Sequence, residues 1–258
     1  MSIKTDDLVY FEFGISIKDL QENKDGVVLD ACIEKAYNDL NRTMEYYHST
    51  SEIAKKKNKD GSKLESEEID RFNDKKEKFK KQIRKSIKNH IKKYPHYTVN
   101  KGVDRCLLKE IKCEFDKWHY VLCSDLVMIS KQTDRVFQYG KHLTYGQAQK
   151  WVNMTIKYCY ILGIGSFNDA LMHVPIDDYI LSAIAKEGRI NSSIDIRGLG
   201  ITVSSSMKPW SRISNYNDYL DLQLAIRKNK KLKKSSYTPI GWESKAWIAA
   251  SKKARKGS

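Results

Sequence analysis

The chain has 258 residues, with 47 Lys+Arg against 32 Asp+Glu and a formal charge of +15 at pH 7. That length is enough for a substantial core in one large, two-lobed unit over 1–258, and the basic excess points to a polyanion as partner, DNA or RNA ahead of an anionic membrane surface. The five cysteines, Cys32, Cys106, Cys113, Cys123 and Cys159, are scattered with no C-x-x-C pair, so a disulfide scaffold or zinc ribbon is not expected and reduced, buried thiols are.

The opening run MSIKTDDLVYFEFG is acidic where a secretory signal would be basic, and no apolar run approaches membrane-spanning length. A soluble, cytoplasmic protein with no membrane contact is expected. Weak alternation and aromatic content over 8–17 suggest a short strand. Over 27–47, Leu29, Ile33, Ala36, Tyr37, Leu40 and Met44 recur at helical spacing after Asp25-Gly26 and predict an amphipathic helix. The stretch 49–66, rich in Lys, Ser, Asn, Asp and Gly without apolar period, reads as a flexible insert.

Beyond it, Ile69, Phe72, Phe79, Ile83, Ile87 and Ile91 form a narrow stripe on a long basic helix ending near Tyr94-Pro95. Most lysines on such a helix belong to a solvated face; Lys80, Arg84 and Lys88 are the candidates to follow a phosphate backbone, with Lys141 in a later loop. Further helices are expected at 103–108 and 115–129. In the second, Phe115, Trp118, His119, Leu122, Cys123, Leu126 and Ile129 form the apolar side, and His119 reads as a core histidine because no second His lies at metal-ligand spacing.

The most regular stretch is 143–186. From Ala148, the positions Trp151, Val152, Thr155, Ile156, Cys159 and Leu162 make a broad stripe that must be core, after Thr144 as N-cap and Gly146 as a permissive loop residue. Lys150 falls on the other side, where its amine can face a cleft. Pro175 biases Val174 to extended geometry, and a helix begins just beyond, with Ile180, Leu181 and Ile184 as its buried face and Asp177 and Asp178 placed to cap it. After a polar, Gly- and Ser-rich segment with possible short strands at 193–197 and 200–204, a helix capped by Ser214 or Asn215 carries Tyr219, Leu220, Leu222, Leu224 and Ile226. A short helix containing Trp247 follows, and 251–258 reads as a disordered tail.

A lysine near the start of one apolar helix, a loop, and a Pro-x-Asp opening the next resembles the helix-hairpin-helix superfamily of DNA glycosylases. The nearer likeness is to the 8-oxoguanine glycosylases, including the archaeal type with a longer lysine-to-aspartate interval. The likeness lies within 104–190, which it marks as a helix-hairpin-helix-like core. The Gly-hydrophobic-Gly hairpin of that superfamily is not legible, only Gly140 and Gly146 being available, and the four-cysteine cluster of the endonuclease III branch is absent.

The resemblance implies a mainly α, two-lobed helix-hairpin-helix glycosylase-like fold with a few short strands. It implies Lys150 as catalytic lysine and Asp177 as catalytic carboxylate, acting on double-stranded DNA as a monomer without metal or small-molecule cofactor. Breaking an N-glycosidic bond develops cationic sugar character that a carboxylate can stabilise, and an amine can attack the sugar carbon to leave a Schiff base. The base must be flipped into a pocket, for which Asn153, His173, Trp210, Trp118 and Tyr145 are candidate lining residues. The leading substrate implied is a glucosylated hydroxymethylcytosine of phage DNA, excised by divergent antiviral relatives. The alternatives are an 8-oxoguanine glycosylase with lyase activity, a non-catalytic DNA-binding protein and an RNA-binding partner of a larger complex.

Overall fold

A computed structural model of the chain describes residues 9, 12–22, 25–100, 102–185 and 198–256. The architecture is mainly helical and almost without strands. Residues 9, 12 and 13 are helical, not extended, and α1 (Ile17–Gln21) starts at Ser16 in a capping box with Asp19. Weak alternation alone does not specify a strand, which needs a partner to pair with, and none is present among the described residues.

Next, α2 (Asp25–Leu40) ends earlier than its apolar spacing predicts; a 3-10 turn, Asn41–Thr43, takes over, and Tyr46 pairs as a bridge with Phe137. The stretch 49–66 is largely built. Ser49 and Glu52 form a capping box that starts α3 (Thr50–Lys55), Lys57 bridges Lys63, and Leu64 is buried.

The long basic helix is α4 (Ser66–Lys93), whose 28 residues bury the stripe Ile69, Phe72, Phe79, Ile83 and Ile87. After the short α5 (Arg105–Glu110), capped by Asp104, comes α6 (Glu114–Gln132). The loop 133–144 between α6 and the next helix contains no helical hairpin; Leu143 is anchored there by its N–H to Ser130 Oγ at 2.9 Å.

The central element is α7 (Tyr145–Ile161), packed against α2, against α6 and against a 3-10 turn at Trp210–Arg212. Its predicted stripe is buried at Trp151, Val152, Thr155, Ile156 and Cys159, and Trp151 satisfies its indole N–H on Ile33 O at 3.1 Å. Then come α8 (Asp178–Ala185), α9 (Tyr216–Lys228) capped by Asn215, α10 (Lys230–Lys234) and α11 (Pro239–Lys256), the last packed on α8.

Residues 200–204 are not a strand, although Ile201 N–H reaches Ile184 O at 3.1 Å; 193–197 lie outside the described residues. The expected tail is helical as far as Lys256. Ala, Lys and Arg are strong helix formers, so a polar run rich in them continues a helix begun on apolar packing. One hydrophobic cluster holds residues from Leu29 in α2 to Ala246 in α11.

Candidate functional site

The site is assembled by the N-terminus of α7. Thr144 and Gln147 form a reciprocal capping box, and the Thr144 hydroxyl also donates to Ser211 O at 2.6 Å. Gln147 Nε2 donates to Thr43 O at 2.6 Å, and Gly146 N–H to Ile213 O at 2.9 Å. Gly146 is therefore inside the helix, not a loop hinge. Its role is steric, because a Cβ there would lie 2.0 Å from Trp210 O.

The segment 172–177 before α8 belongs to no helix or strand, so its backbone groups need other partners. Glutamine side chains supply them. Gln223 Oε1 accepts Val174 N–H and Gln223 Nε2 donates to Val174 O, each at 2.8 Å. Gln149 Nε2 donates to Ile176 O at 3.2 Å while its Oε1 accepts Ile176 N–H at 3.3 Å. Gln149 is the residue before Lys150, so this clamp delivers Asp177 to the lysine. Neither glutamine is singled out by sequence pattern, and nothing short of the pairing geometry would reveal them.

Asp177 divides its carboxylate. Oδ1 caps α8 by accepting Ile180 N–H at 2.9 Å, and Oδ2 accepts a hydrogen bond from Lys150 Nζ at 2.9 Å. The pair is well enclosed, with side chains 7% and 14% exposed, so Lys150 does not project into an open cleft as its helical position predicts. The Trp210 ring centre lies 6.0 Å from Lys150 Nζ. A cleft of about 380 Å³ lined by Asp178, Leu181, Ser182, Ala185 and Lys208 runs along the outer face of α8.

Close by is a carboxylate the sequence reading missed. Glu243, fully buried on α11, accepts from Lys157 Nζ at 2.5 Å. Burial pushes its pKa up, the nearby ammonium groups of Lys157 and Lys150 pull it down, and the Asp177 charge raises it.

The other expected lining residues are distributed differently. Asn153 is buried and bonds His119 Nε2, Gln149 Oε1 and Tyr219 Oη at 2.8, 2.9 and 2.8 Å. His173 is buried between Tyr219 Oη at 2.8 Å and Asp116 Oδ1 at 2.9 Å, and Arg227 clamps Asp116 at 2.9 and 2.6 Å. Burial would raise the Asp116 carboxyl, but hydrogen bonds from His173 and Arg227 hold it well below its ordinary value. Burial lowers His119, and it lowers His173 to about 4, with the Arg227 charge adding to the effect.

Trp118 is core, its indole N–H donating to His90 O at 3.1 Å. Tyr145 is half-buried among Tyr120 and Tyr216, with its hydroxyl 3.2 Å from Ser124 Oγ. Of the expected pocket residues, only Trp210 stands beside the Lys150–Asp177 pair; Asn153 and His173 lie behind it in a closed polar network.

The expected phosphate contacts are also relocated. Lys80 bonds Glu34 at 3.2 Å, Arg84 bonds Glu34 at 2.7 Å, and Lys88 bonds Asp30 at 2.8 Å. This face of α4 is neutralised against α2. Lys141 is a surface residue paired with Glu45 at 3.1 Å.

Among the described residues no group of three His, Cys, Asp or Glu side chains is arranged to hold a metal ion, and no helix is long and apolar enough to cross a membrane. No protein-family model, curated protein or solved structure matches the chain.

Proposed function

We propose that this chain is a DNA N-glycosylase whose chemistry is carried by Lys150 and Asp177. The observation that carries the reading is the 2.9 Å contact between the Lys150 amine and the free oxygen of an aspartate whose other oxygen is fixed as a helix cap. Helix N-termini hold both groups, which gives the preorganisation that electrostatic stabilisation of a cationic sugar requires. In the reaction, an ammonium proton passes to Asp177 Oδ2 and the freed amine attacks the anomeric carbon. The departing base takes the bonding pair and draws that same proton from Asp177, and the carboxylate so regenerated faces the positive charge left on the sugar–lysine adduct.

The leading substrate is a glucosylated hydroxymethylcytosine, with 8-oxoguanine as the alternative. Mass spectrometry of free bases released from phage-modified and oxidised DNA tests activity and substrate together. Release of glucosylated hydroxymethylcytosine that disappears in Lys150→Ala and Asp177→Asn is the expected result; release of 8-oxoguanine alone transfers the assignment to repair. Borohydride trapping of a protein–DNA adduct separates lyase from hydrolytic chemistry.

The enclosure of the pair favours a second reading, a DNA-binding protein in which Lys150 and Asp177 only join α7 to α8. No base released from any pool, with DNA affinity unchanged in both variants, would establish that reading instead.

A further inference from the structure

A cleft of about 960 Å³ lies between α4 and α6, and neither Lys150 nor Asp177 lines it. It exposes a different face of α4 from the one paired with α2. Lys78, Gln82, Lys85, Asn89 and Lys93 recur at three- to four-residue intervals and line one wall. At the helical rise, Lys78 to Lys93 spans about 22 Å, the axial length over which each strand of a duplex carries about six phosphates.

The charge balance of this lining is one-sided. Its carboxylates are both engaged: Asp125 by His90 Nε2 at 2.7 Å and by Asn100 Nδ2 at 2.8 Å, Asp134 by Lys75 at 3.0 Å. Lys78, Lys85 and Lys93 are exposed, and among the described residues none has a carboxylate within ion-pairing distance. Across the helix the opposite holds, since Lys80, Arg84 and Lys88 all have partners in Asp30 and Glu34. One helix thus carries a basic face consumed by folding and a basic face left open to a concave surface.

We infer that the α4–α6 cleft is a docking site for the phosphate backbone of duplex DNA, with Lys78, Lys85 and Lys93 making the contacts and Gln82 and Asn89 donating between them. Lysines on a rigid rod suit sequence-independent phosphate contacts. A single strand would call for a row of stacking rings, and of the rings in the lining Phe79 is buried and His90 is bonded to Asp125, which leaves Tyr97 and His96. Charge and shape define the surface independently of the catalytic assignment; the choice of DNA over an RNA duplex rests on the glycosylase reading.

The test is fluorescence anisotropy of the full chain with labelled DNA duplex, single-stranded DNA and RNA duplex, titrated across about 0.05–0.2 M salt. The combined variant Lys78→Gln/Lys85→Gln/Lys93→Gln is expected to lose more than about tenfold in duplex-DNA affinity and to flatten the log–log salt slope by about 2.7, or 0.9 for each lost phosphate contact. Lys230→Gln/Lys231→Gln/Lys233→Gln on α10 removes the same charge elsewhere and is expected to change affinity less than threefold. Unchanged affinity in the cleft variant, equal losses in both variants, or preference for single strands or RNA duplex would overturn the proposal. Base release from the same samples keeps the readings apart: duplex binding through the cleft without base release leaves this site standing and removes the glycosylase, whereas base release unaffected by the cleft variant, at unchanged affinity, does the reverse.

Discussion

Replacing Gly146 with alanine tests how the site is built, because two known effects of that change oppose each other. An alanine inside a helix gains about 0.5–1 kcal/mol over glycine from reduced unfolded-state entropy. Here, however, the new Cβ would stand 2.0 Å from Trp210 O, 3.1 Å from Trp210 C and 3.3 Å from Ile213 Cβ. The first contact is with backbone, which cannot rotate away, so the α7 N-terminus and the Trp210 turn must separate by about 1 Å, a displacement of the kind that costs about 1–3 kcal/mol in a packed interior. Separation also stretches the Gly146 N–H bond to Ile213 O and the Thr144 hydroxyl bond to Ser211 O, at 2.9 and 2.6 Å. At about 1 kcal/mol each, these losses outweigh the propensity gain. Gly146→Ala is therefore expected to destabilise by about 2–4 kcal/mol in urea unfolding, or about 2–4 °C of melting temperature per kcal/mol for a chain this size. Gly26→Ala in α2 is the sign control. With nothing within 4 Å of its added Cβ, it should stabilise by a few tenths to about 1 kcal/mol. A Gly146→Ala protein as stable as the parent would refute the close approach of α7 to the Trp210 turn, and with it the account of how Lys150 is positioned.

His119 and His173 are buried and held neutral, His173 with its pKa lowered to about 4, so on acidification the unfolded chain takes up protons before the folded one. Stability should fall as pH drops below the unfolded histidine value of about 6.5, by up to about 2.7 kcal/mol per pH unit for two protons, and a urea midpoint flat between about pH 6.5 and 4.5 would contradict this. Arg227→Met strips the clamp from the buried Asp116 carboxylate and should cost about 3–5 kcal/mol, measured by chemical denaturation; a loss below about 1 kcal/mol would mean the Asp116 charge has another home. Lys150→Met and Asp177→Asn should couple by about 1–3 kcal/mol in a double-mutant cycle, since Asn retains a capping oxygen while the charge pair is lost. Additive single effects would rule the ion pair out in solution.

What the sequence made legible was local and periodic. The stripes of α4, α7 and α8 could be read because one-sided burial imposes a 3.6-residue period on the sequence itself. Asp177 was legible as a cap for the same reason: its acceptor geometry is set within three residues. What remained hidden depended on residues far apart in the chain. Nothing near Lys80, Arg84 or Lys88 announces Glu34 and Asp30, about fifty positions away, so an ion-paired face looked like an open one. The helical pitch placed Lys150 opposite the stripe, but Trp210 and α8, which enclose it, come later and fold back. Two misreadings were avoidable locally. Ser49 and Glu52 spell a capping box inside the supposed insert, and the Ala- and Lys-rich run after Trp247 has high helix propensity despite its polarity.

The polar core explains why α7 can hold a charged residue at a defined angle. An apolar stripe alone tolerates small rotations and slides of a helix, since dispersion and burial are nearly non-directional. On α7 the stripe is interrupted by Gln149 and Asn153, one turn apart, whose amide groups bond Ile176 O, Tyr219 Oη and His119 Nε2 on other segments at 3.2, 2.8 and 2.8 Å. Each bond fails if the helix turns, and a broken buried amide bond costs about 1–3 kcal/mol. Lys150 sits between these residues in sequence, so its direction is set by bonds of which one, from Gln149 to Ile176, ends on the segment carrying Asp177. The directional network that engages the buried His119 and His173 thereby fixes the register of the lysine, and loosening it at Asn153 should widen the Lys150–Asp177 separation before it unfolds the helix.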